Sequence, residues 1–469
     1  MVYEGPDFTL NADPPVPVET RAVHPLPADV FAALDAAEIR WCLLRGEAAL
    51  ASPSGDIDLV VDPSQIRAME EALAPLAVVP VQRWGGGVHR SFLGYHAPTD
   101  QWIHLDVEPE FAYGPHASFL VNWMLPALRT NVAAGCLARR RRECGIWVLD
   151  PGDAFWALLL HCIVDKGSVA ERHRARLSEL AAAASPSGEF GGLVGSSCPP
   201  GWDAAAIIEA AAAGNWDELV AVGAQLPRRA TADRPVATRA EGLLRGVGRL
   251  PATAWRMRHG RGFSVAILGP DGAGKSTLSS GIVANFGLPA SLVYMGLWQG
   301  EEGQHRSIVR AGLAAANRPL KVWRRYLVSR YHRARGELVI FDRHVYDALL
   351  PPEPPLVWAK RLFFGFLAHS APGPHLVLVL DLPSEVTIQR RPEERPEHLE
   401  ALRAQYRGLA ERLRRAQLMS AAGTPDEVRI DATDRIWRAH AARRSARGAP
   451  QGAGYPPEAP LKAPDPEDS

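Results

Sequence analysis

Apolar positions follow two different rhythms along this chain. From residue 263 onward, short apolar runs alternate with longer helical stretches. Residues 263–268, 291–295, 338–341, 375–381 and 428–431 are predicted strands of a parallel sheet covered on both faces. Nearer the N-terminus the period is two. In the predicted strand 56–61, Asp56 and Asp58 point to one face while Ile57, Leu59 and Val61 point to the other. Predicted strand 102–108 likewise separates His104, Asp106 and Glu108 from Ile103, Leu105 and Val107. A helix over 28–38, carrying Val30, Leu34 and Ala37 at helical spacing, leads into a predicted strand at 40–44.

Residues 116–230 read as mostly helical. Trp156, Leu159, Leu160 and Ile163 mark an amphipathic core helix over 154–164, and an alanine-rich pair of helices turns at Gly214-Asn215. The Gly, Ser and Pro density of 185–201 predicts a flexible loop, and the basic run from Arg139 to Arg142 a solvated face. The organisation expected is an extended segment 1–26, a domain 27–115, a helical region 116–230, a linker 231–261, a second domain 262–445 and a disordered tail 446–469.

A chain of 469 residues exceeds one ordinary hydrophobic core. Lys+Arg and Asp+Glu both number 52, a balance that argues against general nucleic-acid or membrane-surface binding. Five cysteines without CxxC spacing suit reduced thiols. With neither a signal-peptide pattern nor a long apolar run, a soluble cytoplasmic protein is expected.

The chemistry concentrates at residues 269–277, Gly-Pro-Asp-Gly-Ala-Gly-Lys-Ser-Thr, which match GxxxxGK[ST] between a predicted strand and a predicted helix. Glycines let successive N–H groups turn inward around phosphate oxygens at a helix N-terminus. Gly269, Asp271, Gly272, Ala273, Gly274, Lys275, Ser276 and Thr277 are thus expected to bind nucleotide, with Lys275 on the phosphates and Ser276 on Mg²⁺. Asp342, at the end of the next apolar strand, is a second Mg²⁺ candidate, and Arg343 beside it a phosphate clamp. Arg390, Arg391 and Arg395 follow the strand ending Asp381-Leu382-Pro383 and would neutralise a transferring phosphoryl group.

With Gln405-Tyr406 and the segment 429–432, these pieces resemble the thymidylate kinase family over roughly residues 262–440. The resemblance implies Asp271 and Arg343 facing the acceptor, the three arginines as a lid, and Asp431 near the adenine. It departs at Tyr294-Met295-Gly296-Leu297-Trp298-Gln299, where the family has an Arg-Glu-Pro-Gly-Gly-type loop, and at His344 and Asp347, where it has tyrosine and serine. These departures fall in the acceptor pocket; ATP is expected and dTMP is not.

In the first half, Gly46, Asp56, Asp58 and Asp106 resemble the metal-binding core of the nucleotidyltransferase superfamily, which includes aminoglycoside nucleotidyltransferases and polymerase β. The resemblance implies a metal site at Asp56, Asp58 and Asp106. Glu47 follows Gly46 and would set a carboxylate where phosphate binds, so a non-catalytic domain is the alternative. The fold class expected is α/β: a P-loop NTPase doubly wound parallel sheet, preceded by an α+β nucleotidyltransferase-like domain with a helical extension. The function expected is ATP- and Mg²⁺-dependent phosphorylation of a nucleoside monophosphate or related small metabolite, with a homodimer left open. The alternatives are nucleotidyl transfer to a small hydroxylated acceptor, with the P-loop domain as partner, and a nucleotide-dependent switch.

Overall fold

The computed structural model describes residues 23–46, 50–53, 55–81, 89–114, 127–232, 262–295, 308–352, 354, 356–383, 386 and 396–446. In chain order its strands are β1 (Trp41–Arg45), β2 (Ile57–Val61), β3 (Val79–Val81), β4 (Arg90–His96), β5 (Gln101–Glu108), β6 (Ala112–Tyr113), β7 (Leu128–Arg129), β8 (Arg141–Glu143), β9 (Ile146–Val148), β10 (Phe263–Leu268), β11 (Ala290–Tyr294), β12 (Leu338–Asp342), β13 (Leu376–Asp381) and β14 (Ala416–Ser420). The α-helices are α1 (Pro25–Ala36), α2 (Ile66–Leu73), α3 (Ala133–Arg139), α4 (Pro151–Leu160), α5 (Glu171–Ala181), α6 (Glu189–Ser196), α7 (Ala204–Ala213), α8 (Trp216–Gly223), α9 (Leu226–Ala230), α10 (Lys275–Asn285), α11 (Ile308–Ala334), α12 (Val357–His369), α13 (Pro396–Arg412) and α14 (Pro425–Ala446). The chain divides into two units. Residues 1–69, 105–114 and 126–233 form the first; residues 70–104, 115–125 and 234–469 form the second.

In the first unit β2 pairs antiparallel with β1 and parallel with β5, which sets Asp58 opposite Asp106. The helices pack around Phe111, Phe155, Trp156, Leu160 and Phe190. Gly214, at φ 80°, ends α7 and lets the chain turn into α8, as the sequence implied. The loop expected over 185–201 instead holds α6. Phe190 and Val194, four residues apart, are fully buried, and that burial outweighs the low helix propensity of the glycines. The basic run is largely solvent-exposed, as expected, and is also paired: Arg139 with Asp153, Arg141 with Asp150, Arg142 with Asp35, and Arg140 over the Trp147 ring.

The second unit holds a five-stranded sheet of order β11-β12-β10-β13-β14, each neighbouring pair parallel. Every residue of β10 is buried, as a central strand covered on both faces requires. The predicted fifth strand at 428–431 is a correction. Those residues lie in α14, and the fifth strand is β14, whose only buried residue is Met419. The helix starts with a capping box: Thr424 Oγ1 accepts from Glu427 N at 3.3 Å, and Glu427 Oε2 accepts from Thr424 N at 2.8 Å. Ala432 and Ile436 then enter the core at helical spacing.

The same unit includes β3 and β4, which lie against α14. Trp437 Nε1 donates to Ala77 O at 2.8 Å, Trp102 Nε1 donates to Asn285 O at 2.8 Å, and Arg429 pairs with Asp100 through both guanidinium nitrogens. A Cβ on Gly287 would come within 2.5 Å of the Trp102 ring, so only glycine admits this approach. The linker from 233, the tail from 447 and the segment 1–22 lie outside the described residues.

Candidate functional site

The site is built at the carboxyl ends of β10, β12 and β13, where an open parallel sheet presents its loops. After β10 the chain turns through Gly269 (φ 151°) and Gly274 (φ 86°) into α10. A side chain at Gly269 would press within 3.1 Å of Leu380 Cβ on the neighbouring strand. Its glycine is therefore set by both space and backbone angle. Gly272 is also in the left-handed region, Ala273 is buried, and Ser276 and Thr277 are exposed at the start of α10.

The Lys275 ammonium is held inside the loop. It donates to Gly269 O at 2.8 Å, Pro270 O at 2.9 Å and Asp271 Oδ1 at 3.1 Å. The same Asp271 oxygen accepts from Arg343 at 3.2 Å, so one exposed carboxylate joins two cations. Arg343 has φ 57°, an unfavourable backbone state for a non-glycine residue, directly after Asp342. Asp342 ends β12 in register with Ile267 of β10. Ser276, in the first turn of α10, and Asp342, in register with Ile267 just before the glycine-rich loop, carry the hard oxygen donors that Mg²⁺ takes, so these residue types fit that ion.

Beyond Arg343 the chain makes a 3₁₀ turn, Val345–Leu349, capped by the buried His344, whose Nδ1 accepts from Tyr346 N at 3.3 Å. Burial pushes the His344 imidazole down to about 3, so it is neutral and structural. Within this turn lies Asp347, held on its other side by Tyr406 Oη at 3.1 Å. Desolvation pushes the Asp347 carboxyl up to about 6, although Lys275, the Tyr406 hydrogen bond and Arg343 all pull it down. Sequence reading noted Asp347 only as a departure and did not count it in the site. Its signal was an acidic residue five positions after the Asp342 strand end.

Asp381 follows β13. Arg403 and Arg407 of α13 both grip it, at 2.5 and 3.1 Å and at 3.2 and 2.7 Å, and these bonds hold its carboxyl down at about 2. Neither arginine was singled out from the sequence. Arg390, Arg391 and Arg395 lie outside the described residues, as do Glu47 and positions 296–299. Arg325 of α11 sits over the Tyr294 ring at 5.2 Å, and Arg335, just past the end of α11, donates to Glu337 at 2.7 Å. Asp431, expected near the adenine on a strand, lies in α14 and accepts from Arg435 at 2.8 Å.

In the first unit Asp58 accepts from Arg45 Nε at 2.6 Å. Its carboxyl is nonetheless raised, first by burial and also by Asp106 and Asp56 nearby. Among the described residues no three His, Cys, Asp or Glu side chains are arranged to hold a metal ion. Further along β5, burial pushes Glu108 up to about 8. At the end of α4 a π-helical turn, His161–Lys166, brings His161 Nδ1 to 3.1 Å from Asp165.

No protein-family model matches this chain, and no curated protein matches it. Among solved structures, thymidylate kinase from Candida albicans aligns over 38% of this chain and 93% of its own, at 17% identity and a TM-score of 0.29. A likeness of that degree carries no functional argument.

Proposed function

We propose that the second unit is an ATP-dependent kinase of thymidylate-kinase-like type, phosphorylating a nucleoside monophosphate or a related small metabolite. The observation that carries this is the strand–loop–helix at residues 263–285, with Lys275 and Arg343 both bonded to Asp271 of its glycine-rich turn. Phosphoryl transfer asks the protein mainly for positioning and charge neutralisation. The loop's N–H groups and the start of α10 favour phosphate oxygens. Lys275 and Arg343 are both tied to Asp271, and a phosphate arriving at the loop offers them a more highly charged partner. Ser276 and Asp342 would hold Mg²⁺, which when bound neutralises charge on the β- and γ-phosphates. Arg390, Arg391 and Arg395 are proposed to close over the transferring group.

Incubating the full chain with labelled ATP, Mg²⁺ and a panel of nucleotides and small metabolites tests this reading. Label passing to an acceptor with ADP release supports it. Nucleotide binding without acceptor-dependent ADP removes it in favour of a switch.

A second reading, nucleotidyl transfer by the first unit, is favoured by the register of Asp58 against Asp106 on adjacent parallel strands. Pyrophosphate release that survives Lys275→Ala and disappears in Asp56→Ala would support it; the reverse pattern would remove it.

A further inference from the structure

Two carboxylates, not one, stand with the two cations of the phosphate loop. Asp271 directly bonds Lys275 and Arg343. Asp347 feels both of those cations and is bonded by Tyr406, which in turn feels Asp271 and Arg343. The backbone fixes Asp347 from the strand side, where its N–H donates to His344 O at 3.0 Å. Tyr406, buried on α13, fixes it from the opposite side. Holding Tyr406 does not require a carboxylate, because an amide oxygen accepts the same hydrogen bond without the desolvation cost of a charge. A retained, desolvated carboxylate beside a phosphate loop therefore asks for a chemical reason.

The acceptor supplies one. A phosphate monoester at pH 7 is largely a dianion, because its second pKa is about 6; it needs no base and is repelled by a neighbouring carboxylate. An alcohol is protonated at pH 7 and must lose its proton as it attacks. Resting on the kinase reading above, we infer that Asp347 is the general base for an acceptor hydroxyl, so that the group phosphorylated is an alcohol of a nucleoside-like or sugar-like molecule rather than a phosphate.

The acceptor oxygen forms a bond to the γ-phosphorus of ATP as the bond from that phosphorus to the bridging oxygen breaks. The alcohol proton passes to the Asp347 carboxylate, and ADP leaves with the bridging oxygen's electron pair. Tyr406 is a positioning residue in this step. Asp347, with its carboxyl pushed up to about 6, is mostly ionised at pH 7 and still basic enough to take a proton.

The test uses the full chain with ATP and Mg²⁺, comparing nucleosides and free sugars with their monophosphates, and identifies the product by phosphorus NMR. A phosphomonoester formed from an alcohol is expected. Asp347→Asn should then lower kcat by about 10²–10⁴-fold with little change in KM for ATP, and Asp347→Glu should restore part of it. Tyr406→Phe removes a hydrogen bond that lowers the Asp347 carboxyl, so the acid limb of the kcat profile should move to higher pH. A phosphoanhydride product, or Asp347→Asn retaining kcat within about threefold of the native chain, overturns the inference and leaves the kinase standing. Acceptor-dependent ADP from neither class removes the kinase reading and this inference together.

Discussion

Asp381 and Asp347 belong to the same end of the same sheet, one closing β13 and the other following β12, and their surroundings act on them in opposite directions. Asp381 receives four hydrogen bonds from Arg403 and Arg407, and its carboxyl is held at about 2. Asp347 receives a bond from the neutral Tyr406 phenol and one from the His344 backbone, with Lys275 and Arg343 acting on it only through their charge, and desolvation raises it to about 6. The first carboxylate is matched donor for donor and serves as a tie between β13 and α13. The second is left short of donors beside the loop that would bring phosphate, and so keeps its capacity to accept a proton. Proximity to a strand end does not distinguish the two; the number of donors each receives does.

Experiments that alter this contrast differ in size. The largest effect is expected from Lys275→Ala, which leaves both aspartates in place and removes the ammonium held in the glycine-rich loop. Acceptor-dependent ADP release should fall by about 10³-fold or more, measured at saturating ATP.

Asp381→Asn removes the charge from the satisfied member. It should destabilise the fold by roughly 2 kcal/mol at pH 7, read from the urea midpoint with the slope unchanged. Because the folded carboxyl is depressed, its stabilisation is complete above the unfolded value near 4. It is lost as pH falls towards about 2, so the mutant's deficit should shrink over that window.

Asp347→Asn should do the reverse. A raised folded pKa means the native state binds the proton more tightly than the unfolded chain, so this group's contribution declines as pH rises from about 4 to about 6. The amide variant should therefore be more stable than the native chain by about 1–2 kcal/mol at pH 8 and nearly equal to it at pH 4, while losing activity. If it is instead destabilised at pH 8, Asp347 is a structural tie like Asp381, and the contrast fails.

The smallest effect belongs to Arg407→Ala. This arginine is 45% exposed, against 18% for Arg403, and its pair with Asp381 is screened by solvent. A cost below about 1 kcal/mol is expected, against a larger one for Arg403→Ala.

How much of this was legible from the chain depends on the span of sequence that carries each feature. The glycine-rich loop and strands β10, β11, β12 and β13 were readable to within a residue or two, because central parallel strands are continuous apolar runs and the loop's glycines answer local backbone demands. The fifth strand was misplaced. The short apolar pattern at 428–431 reads equally as strand or helix, and the deciding signal, the Thr424–Glu427 capping box, went unweighed. A loop was expected where α6 lies because composition was weighed above the spacing of Phe190 and Val194. Asp56, Asp58 and Asp106 were read as one metal-holding set. Strand alternation fixes which face a side chain takes, but it does not reveal that Arg45 from the neighbouring strand ion-pairs with Asp58.

By itself, then, the sequence determined the glycine-rich loop, the parallel strand pattern, and the presence of Asp342 and Arg343 at a strand end, since each is a short-range consequence of spacing and backbone freedom. Only the tertiary structure decided what each charged group does. It set two arginines of α13 on Asp381 and one phenol on Asp347, the latter across a sequence separation of 59 residues. The physical reason is that a carboxylate's protonation and reach depend on desolvation and on donors brought by other elements, and folding alone assembles those.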